Sequence, residues 1–180
     1  AFTPTGTVTT NGLTYRIIGG TRFFDRAEVK DMIAYLNVIS APNDDLRLTR
    51  IINNPPRGIG ERSIELAQQL AQDRGCAMFD VISHADDYPE LQRSAIRLRQ
   101  FAGMINELKA FAANNSPDAL FDELVEKTGY IRTLEEKNTV EDAARAENVR
   151  ELKSSIIGYM KETGDNTLEG FLANVALYSD

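Results

Sequence analysis

The stretch from Ile51 to Ser63, IINNPPRGIGERS, constrains this chain most. An apolar helix end runs into Pro55-Pro56, where a helix cannot continue. Arg57-Gly58-Ile59-Gly60 follows, and a fresh helix opens at Glu61. Two glycines permit a tight turn and let bare N–H groups come close to a ligand. Ile59, between them, can plug the turn into the core. The pattern predicts a helix-hairpin-helix. Unpaired amides at the start of the second helix, at the positive end of its dipole, suit an anion. Arg50, Arg57 and Arg62 surround the turn, so a nucleic-acid phosphate is the natural guest. The bland alternative is an ordinary helix–helix turn with a glycine cap, and the local residues leave it open.

Charge narrows where such contact could occur. The 180 residues carry a net charge of −7, which opposes whole-surface binding to nucleic acid. Between Leu46 and Arg62, however, Arg47, Arg50, Arg57 and Arg62 face one acid, Glu61. The negative charge gathers largely after Asp118. Any DNA contact is therefore expected on a confined basic patch of an acidic body. The length suffices for one domain with a sizeable core. No apolar run approaches the roughly 20 residues needed to span a bilayer, and no secretory leader is visible, so no membrane partner is expected. The single cysteine, Cys76, rules out a disulfide framework and fits a reducing compartment. Its surroundings suggest a small buried hydrophobe. The chain starts without Met, so processing or excision from a longer polypeptide is expected.

The rest of the pattern is mainly helical. TVTTNGLTYRII alternates around Asn11-Gly12, which predicts a short N-terminal β-hairpin with strands near 7–10 and 13–18, ended by Gly19-Gly20. Asp25 with Glu28 reads as a capping box opening a helix to Ser40. Asp44 caps a short helix through Ile52, and a helix follows from Glu61 to Arg74, ended by Gly75. Residues 76–83 read as another short helix, and 86–89 as a turn. One long helix is expected from Pro89 to Ala113. Ser116-Pro117 starts the next, and Gly129 ends it. Thr139 caps a long helix to Glu162, and Thr167 caps the last, to Tyr178. The expected fold is a compact multi-helix domain containing the Gly-Ile-Gly hairpin.

Catalytic constellations are missing. There is no G-x-x-x-x-G-K-[ST] phosphate loop and no G-x-S-x-G elbow, and the one histidine, His84, lacks a triad context. Asp44-Asp45 and Asp86-Asp87 read as helix caps or solvated turns. A calcium loop from Asp165 fails because its twelfth position is Ala176. DNA glycosylases also use a helix-hairpin-helix, but neither Asp73 nor Asp80 has the flanks of their catalytic acid. No catalytic residue, metal ligand or cofactor is expected in this chain.

Four segments together point to a family. YRIIGGTRFFDRAEVKDMIAYL from Tyr15 resembles the segment leading into the 2B subdomain of UvrD/PcrA/Rep-like superfamily 1 DNA helicases, with Arg26, Glu28, Lys30 and Asp31 at family spacing. IINNPPRGIGERS resembles the family's GIG motif. GYIRTLEEKNTVEDAARAENVREL from Gly129 resembles the later 2B helices, with Arg145, Glu147 and Asn148 in place. FLANVALYSD resembles the segment before the chain returns to the second RecA-like domain. The resemblance covers about 15–180 in order. Residues 1–14 do not resemble the family and are expected to be a cloning remnant or a hairpin replacing a lost strand partner.

The resemblance implies an excised 2B subdomain, itself no enzyme, from a 3′-to-5′ ATP-dependent DNA helicase of DNA repair. ATP and Mg would belong to the parent, whose Walker motifs, Asp-Glu motif and arginine finger are all absent here. The implied duplex-binding residues are Arg57, Gly58, Ile59, Gly60, Glu61, Arg62 and Ser63. Gly58, Gly60 and Glu61 would offer N–H groups to phosphate, Arg57 and Arg62 would add charge, and Ser63 its hydroxyl or amide. Such contacts position a duplex without reading its sequence. The implied partners are duplex DNA at a single-strand/double-strand junction, the remaining helicase domains and repair proteins, in a cytoplasmic, nucleoid-associated bacterial setting. On a helix Arg26 and Lys30 share one face, expected either to meet the motor domains or to be solvated. The alternative function is a protein-interaction or autoinhibitory helical module without DNA affinity of its own, its acidic face built from Asp122, Glu123 and Glu126.

Overall fold

Helix breakers and caps set most of the boundaries in the computed structural model, which describes residues 5–10, 13–18 and 21–178. Two antiparallel strands, β1 (Thr5–Thr10) and β2 (Leu13–Ile18), pair Thr10 with Leu13 and Thr5 with Ile18. The turn residues Asn11-Gly12 and the pair Gly19-Gly20 lie outside the described residues. Helices make up most of the remaining described residues. The chain divides into two compact units. One contains the described residues up to Ile33 together with those from Asn114 onward; the other is Ala34–Ala113.

The first unit contains α1 (Thr21–Phe24), the first half of α2 (Ala27–Ser40), α7 (Pro117–Thr128), α8 (Tyr130–Glu136), α9 (Val140–Thr163) and α10 (Leu168–Val175). Its core gathers Phe23, Val29, Leu120, Phe121, Leu124, Val149, Leu152, Ile156 and Phe171. Thr139 caps α9 as the sequence predicted, its hydroxyl accepting from the Asp142 amide at 3.0 Å. Thr167 caps α10 in the same way through the Gly170 amide. Gly129 and Gly164 end α7 and α9 in the left-handed conformation.

Three expectations fail here. No capping box opens α2: the helix begins at Ala27, and Glu28 is 5% exposed and engaged elsewhere. Its carboxylate accepts from Asn148 Nδ2 at 2.8 Å and lies 3.6 Å from Arg145 Nε. Gly129 does not simply end α7, because α8 starts at the next residue with that glycine as its N-cap. The last helix stops at Val175 rather than Tyr178.

The second unit contains the rest of α2, then α3 (Asp45–Ile51), α4 (Glu61–Arg74), α5 (Met78–Ser83) and α6 (Ala95–Asn114). Tyr35, Leu36, Ile39, Leu48, Ile51, Ile52, Leu98, Phe101 and Ile105 form its core. Both residues of Asp44-Asp45 act as caps. Asp44 accepts from the Arg47 amide at 3.1 Å, and Asp45 accepts from the Met78 amide at 3.0 Å, at the start of α5. The long helix expected from Pro89 starts only at Ala95. Residues 85–87 and 89–91 form short 3-10 turns, and Ser94 accepts the first helical bond of α6, from the Leu98 amide. Cys76 is half-buried rather than fully buried.

Candidate nucleic-acid interface

The Gly-Ile-Gly hairpin joins α3 to α4, and one side chain holds most of it. Asn53 Oδ1 accepts from the Arg57 amide at 2.7 Å and from the Ile59 amide at 3.2 Å. An Asx side chain in this role substitutes for a backbone acceptor and fixes a turn. Ile59 is 1% exposed, so it plugs the hairpin into the core as the sequence suggested. Pro55 is buried and Pro56 exposed beside it, and the Asn54–Pro55 peptide is cis.

The two glycines have different jobs. Gly58 has φ +74°, in the left-handed region that disfavours other residues. A Cβ there would also stand 3.1 Å from Arg97 Nε. Gly60 is the N-cap of α4 with ordinary extended backbone, φ −72° and ψ 155°. A Cβ on Gly60 would meet nothing within 4 Å. Nothing among its described neighbours therefore requires glycine at position 60. What the absent side chain leaves is an open approach to the amides at the start of α4.

The start of α4 leaves amides without a helical partner. The first intrahelical bonds of α4 run from the Ser63 and Ile64 amides to the Gly60 carbonyl. The amides of Glu61 and Arg62 precede any such partner, as the first N–H groups of a helix do. Gly60, Glu61 and Arg62 are all exposed. Arg62 lies 3.6 Å from Glu65, a loose surface pair. Ser63 is half-buried, and its hydroxyl meets that of Ser94 at 2.5 Å.

Arg57 has a different place from the one its charge suggested. Its guanidinium donates to the carbonyls of Ile51 at 2.8 Å and Ile52 at 3.2 Å, and to the Tyr35 hydroxyl. It also lies over the Phe101 ring, 4.9 Å from the centroid. The group ties off the carbonyl end of α3, where a cation is favoured by the helix dipole. Asn53, Tyr35, Ser94 and Arg97 complete the hairpin's surroundings. Of these, Tyr35 stood at family spacing in the segment from Tyr15 and Asn53 lay near the Pro-Pro turn, whereas nothing in the sequence marked Ser94 or Arg97.

Arg26 and Lys30 belong to the first unit, not to the unit that carries the hairpin. Arg26 is exposed and donates to Asn148 Oδ1 at 2.9 Å, and Lys30 is half-buried. The same unit holds a polar cluster: Tyr130 donates to Asp31 Oδ2 at 2.6 Å, and Arg145 bridges Glu28 and Asp142. Burial first, and then the bond to Asp31, pushes the Tyr130 hydroxyl well above the ordinary tyrosine range. Among the described residues, no group of three or more His, Cys, Asp or Glu could hold a metal ion. Among them, too, no helix is long and apolar enough to cross a membrane.

The profile of the UvrD-like helicase C-terminal domain matches residues 6–180. The chain is 37% identical over 169 residues to the ATP-dependent DNA helicase PcrA of Bacillus subtilis (strain 168), covering 94% of this chain and 23% of that protein. It is 34% identical over 172 residues to the ATP-dependent DNA helicase PcrA of Staphylococcus aureus (strain Mu50 / ATCC 700699), covering 94% of this chain and 24% of that protein. The chain thus spans about a quarter of the length of the relatives it matches.

Proposed function

Because the chain belongs to the UvrD-like helicase C-terminal domain family, we propose that it is a non-catalytic, duplex-binding and regulatory subdomain of an ATP-dependent DNA helicase. The observation that carries this reading is the exposed start of α4, where Gly60 leaves an open approach to the amides of Glu61 and Arg62. Backbone amides at a helix N-terminus bind phosphate without regard to base sequence. Gly58, Gly60, Glu61, Arg62 and Ser63 form the phosphate-facing set in this proposal. Ile59 and Arg57 hold the hairpin in shape from beneath. The remaining helicase domains of the parent would supply ATP and Mg chemistry and 3′-to-5′ movement. Residues 15–180 would act as a 2B-like subdomain that holds the duplex ahead of the junction. Arg26 and Lys30 would face the motor domains. A role in DNA repair, with repair proteins as further partners, follows from the same proposal.

The test is a titration of a fluorescent hairpin duplex with this chain at low and then physiological salt. Few phosphates are neutralised, so binding should be weak and salt-sensitive. It should also be indifferent to base sequence. Absence of binding at low salt would remove the duplex-gripping reading. It would favour the helical interaction module, whose acidic residues Asp122 and Glu123 pair here with Lys153 and Lys127.

A further inference from the structure

Within that duplex-binding reading, on which this step rests, we propose that Arg97 supplies the phosphate-directed cation of the hairpin, the role its sequence position would have given to Arg57. Arg57 is turned inward onto two carbonyls, the Tyr35 hydroxyl and the Phe101 ring. Swinging it out to a ligand would strip several buried polar groups of their partner. Arg97 comes from a different element, the first turn of α6, and is exposed. Its side chain runs through the space that a Cβ on Gly58 would enter, with Nε 3.1 Å and Cζ 3.3 Å from that position. The guanidinium therefore lies directly against the Gly-Ile-Gly turn.

Two further observations support the assignment. The Ser63–Ser94 hydroxyl contact ties the first turn of α4 to the residue preceding α6, so Arg97 and the α4 amides hold a fixed relation. Two other arginines of this unit are closely paired with acids: Arg47 with Asp44 at 2.6 Å and Arg99 with Asp86 at 2.5 Å. Among the described residues, no hydrogen bond or ion pair engages Arg97. An unengaged guanidinium beside unpaired helix-start amides makes a compact phosphate clamp, since its planar fork matches two phosphate oxygens. A merely structural Arg97 would brace the turn and do nothing else.

The clamp and the brace are separated by the salt dependence of duplex binding. The measurement uses the same fluorescent hairpin duplex with the full chain, Arg97→Gln, Arg97→Lys and Gly60→Ala, with a thermal melt of each. The clamp predicts that Arg97→Gln melts with the parent chain but lowers the slope of log K against log salt by about 1. Its low-salt affinity should fall roughly five- to tenfold, one charge-assisted phosphate contact, and Arg97→Lys should restore the slope. If Arg97→Gln keeps the parent slope while Gly60→Ala binds more weakly, Arg97 is a brace and the duplex reading stands without it. A lower melting temperature for Arg97→Gln at an unchanged slope likewise makes Arg97 a brace. No binding by the parent chain at low salt overturns the duplex reading and the role of Arg97 together.

Discussion

The guanidinium of Arg57 lies 4.9 Å from the centre of the Phe101 ring, a cation–π contact between the hairpin and the first half of α6. The same group bonds two carbonyls at the end of α3 and the Tyr35 hydroxyl. Tyr35 in turn donates to the Asn54 carbonyl at 2.5 Å. One arginine thus joins the hairpin, α2 and α6 within the second unit. Arg57→Ala should destabilise the chain by about 3 kcal/mol, because buried acceptors lose a charged donor. In a thermal melt that is a drop of roughly 6–12 °C for a chain of this size. Arg57→Lys should recover only part of the loss, since an ammonium cannot reproduce the fork or the stacking. A melt of Arg57→Ala coincident with the parent would show that the network contributes nothing.

The hairpin glycines should respond in opposite ways. Gly58→Ala places a side chain at φ +74° and against Arg97, so it should cost about 1–2 kcal/mol in urea unfolding. Gly60→Ala meets open space in ordinary backbone and should leave the unfolding midpoint within about 0.5 kcal/mol of the parent. Asn53→Ala should resemble Gly58→Ala, because the amides of Arg57 and Ile59 both lose their acceptor. Equal effects at both glycines would contradict this division of labour.

The Tyr130–Asp31 bond gives the first unit an alkaline limit. The folded hydroxyl resists ionisation above the ordinary tyrosine value of 10.0, through burial first and the bond to Asp31 second. Above that value the unfolded chain releases a proton that the folded chain keeps. Stability from this group is therefore complete below pH 10 and declines as pH rises beyond it. Urea unfolding between pH 8 and 11 should show a steeper decline for the parent than for Tyr130→Phe. Parallel pH profiles would remove the coupling.

The cap of α9 provides an independent check of the helical framework. Thr139→Ala removes the acceptor for the Asp142 amide and should cost about 1 kcal/mol by urea unfolding. Thr139→Ser keeps the hydroxyl and should restore most of it. An unchanged midpoint for the alanine variant would mean that the end of α9 does not depend on its cap.

What the sequence disclosed follows from how local each signal is. The limits of α4 were legible because Gly60 and Gly75 punctuate a helix-forming run, and Thr139 and Thr167 announced their caps by residue type alone. The start of α6 was not, because Leu91 continues the apolar stripe of the helix across the bend at 92–94. The second role of Gly129, opening α8 as it closes α7, leaves no break in the pattern to read. Glu28 looked like the far half of a capping box, but its partners Asn148 and Arg145 lie more than a hundred residues away. Arg57 is the same lesson at the candidate site. Sequence reveals a charge beside a turn, but the direction it faces depends on Tyr35 and Phe101, which only folding brings to it.

The most direct measurement compares duplex binding by the parent chain and by Gly60→Ala at low salt, with the unfolding midpoints of both. Salt-sensitive binding by the parent is predicted, with at least a tenfold loss in Gly60→Ala at unchanged stability, as expected when a methyl group obstructs a phosphate seated on backbone amides. Equal affinity in the two proteins, or no binding by the parent, would contradict the claim that the start of α4 grips duplex DNA.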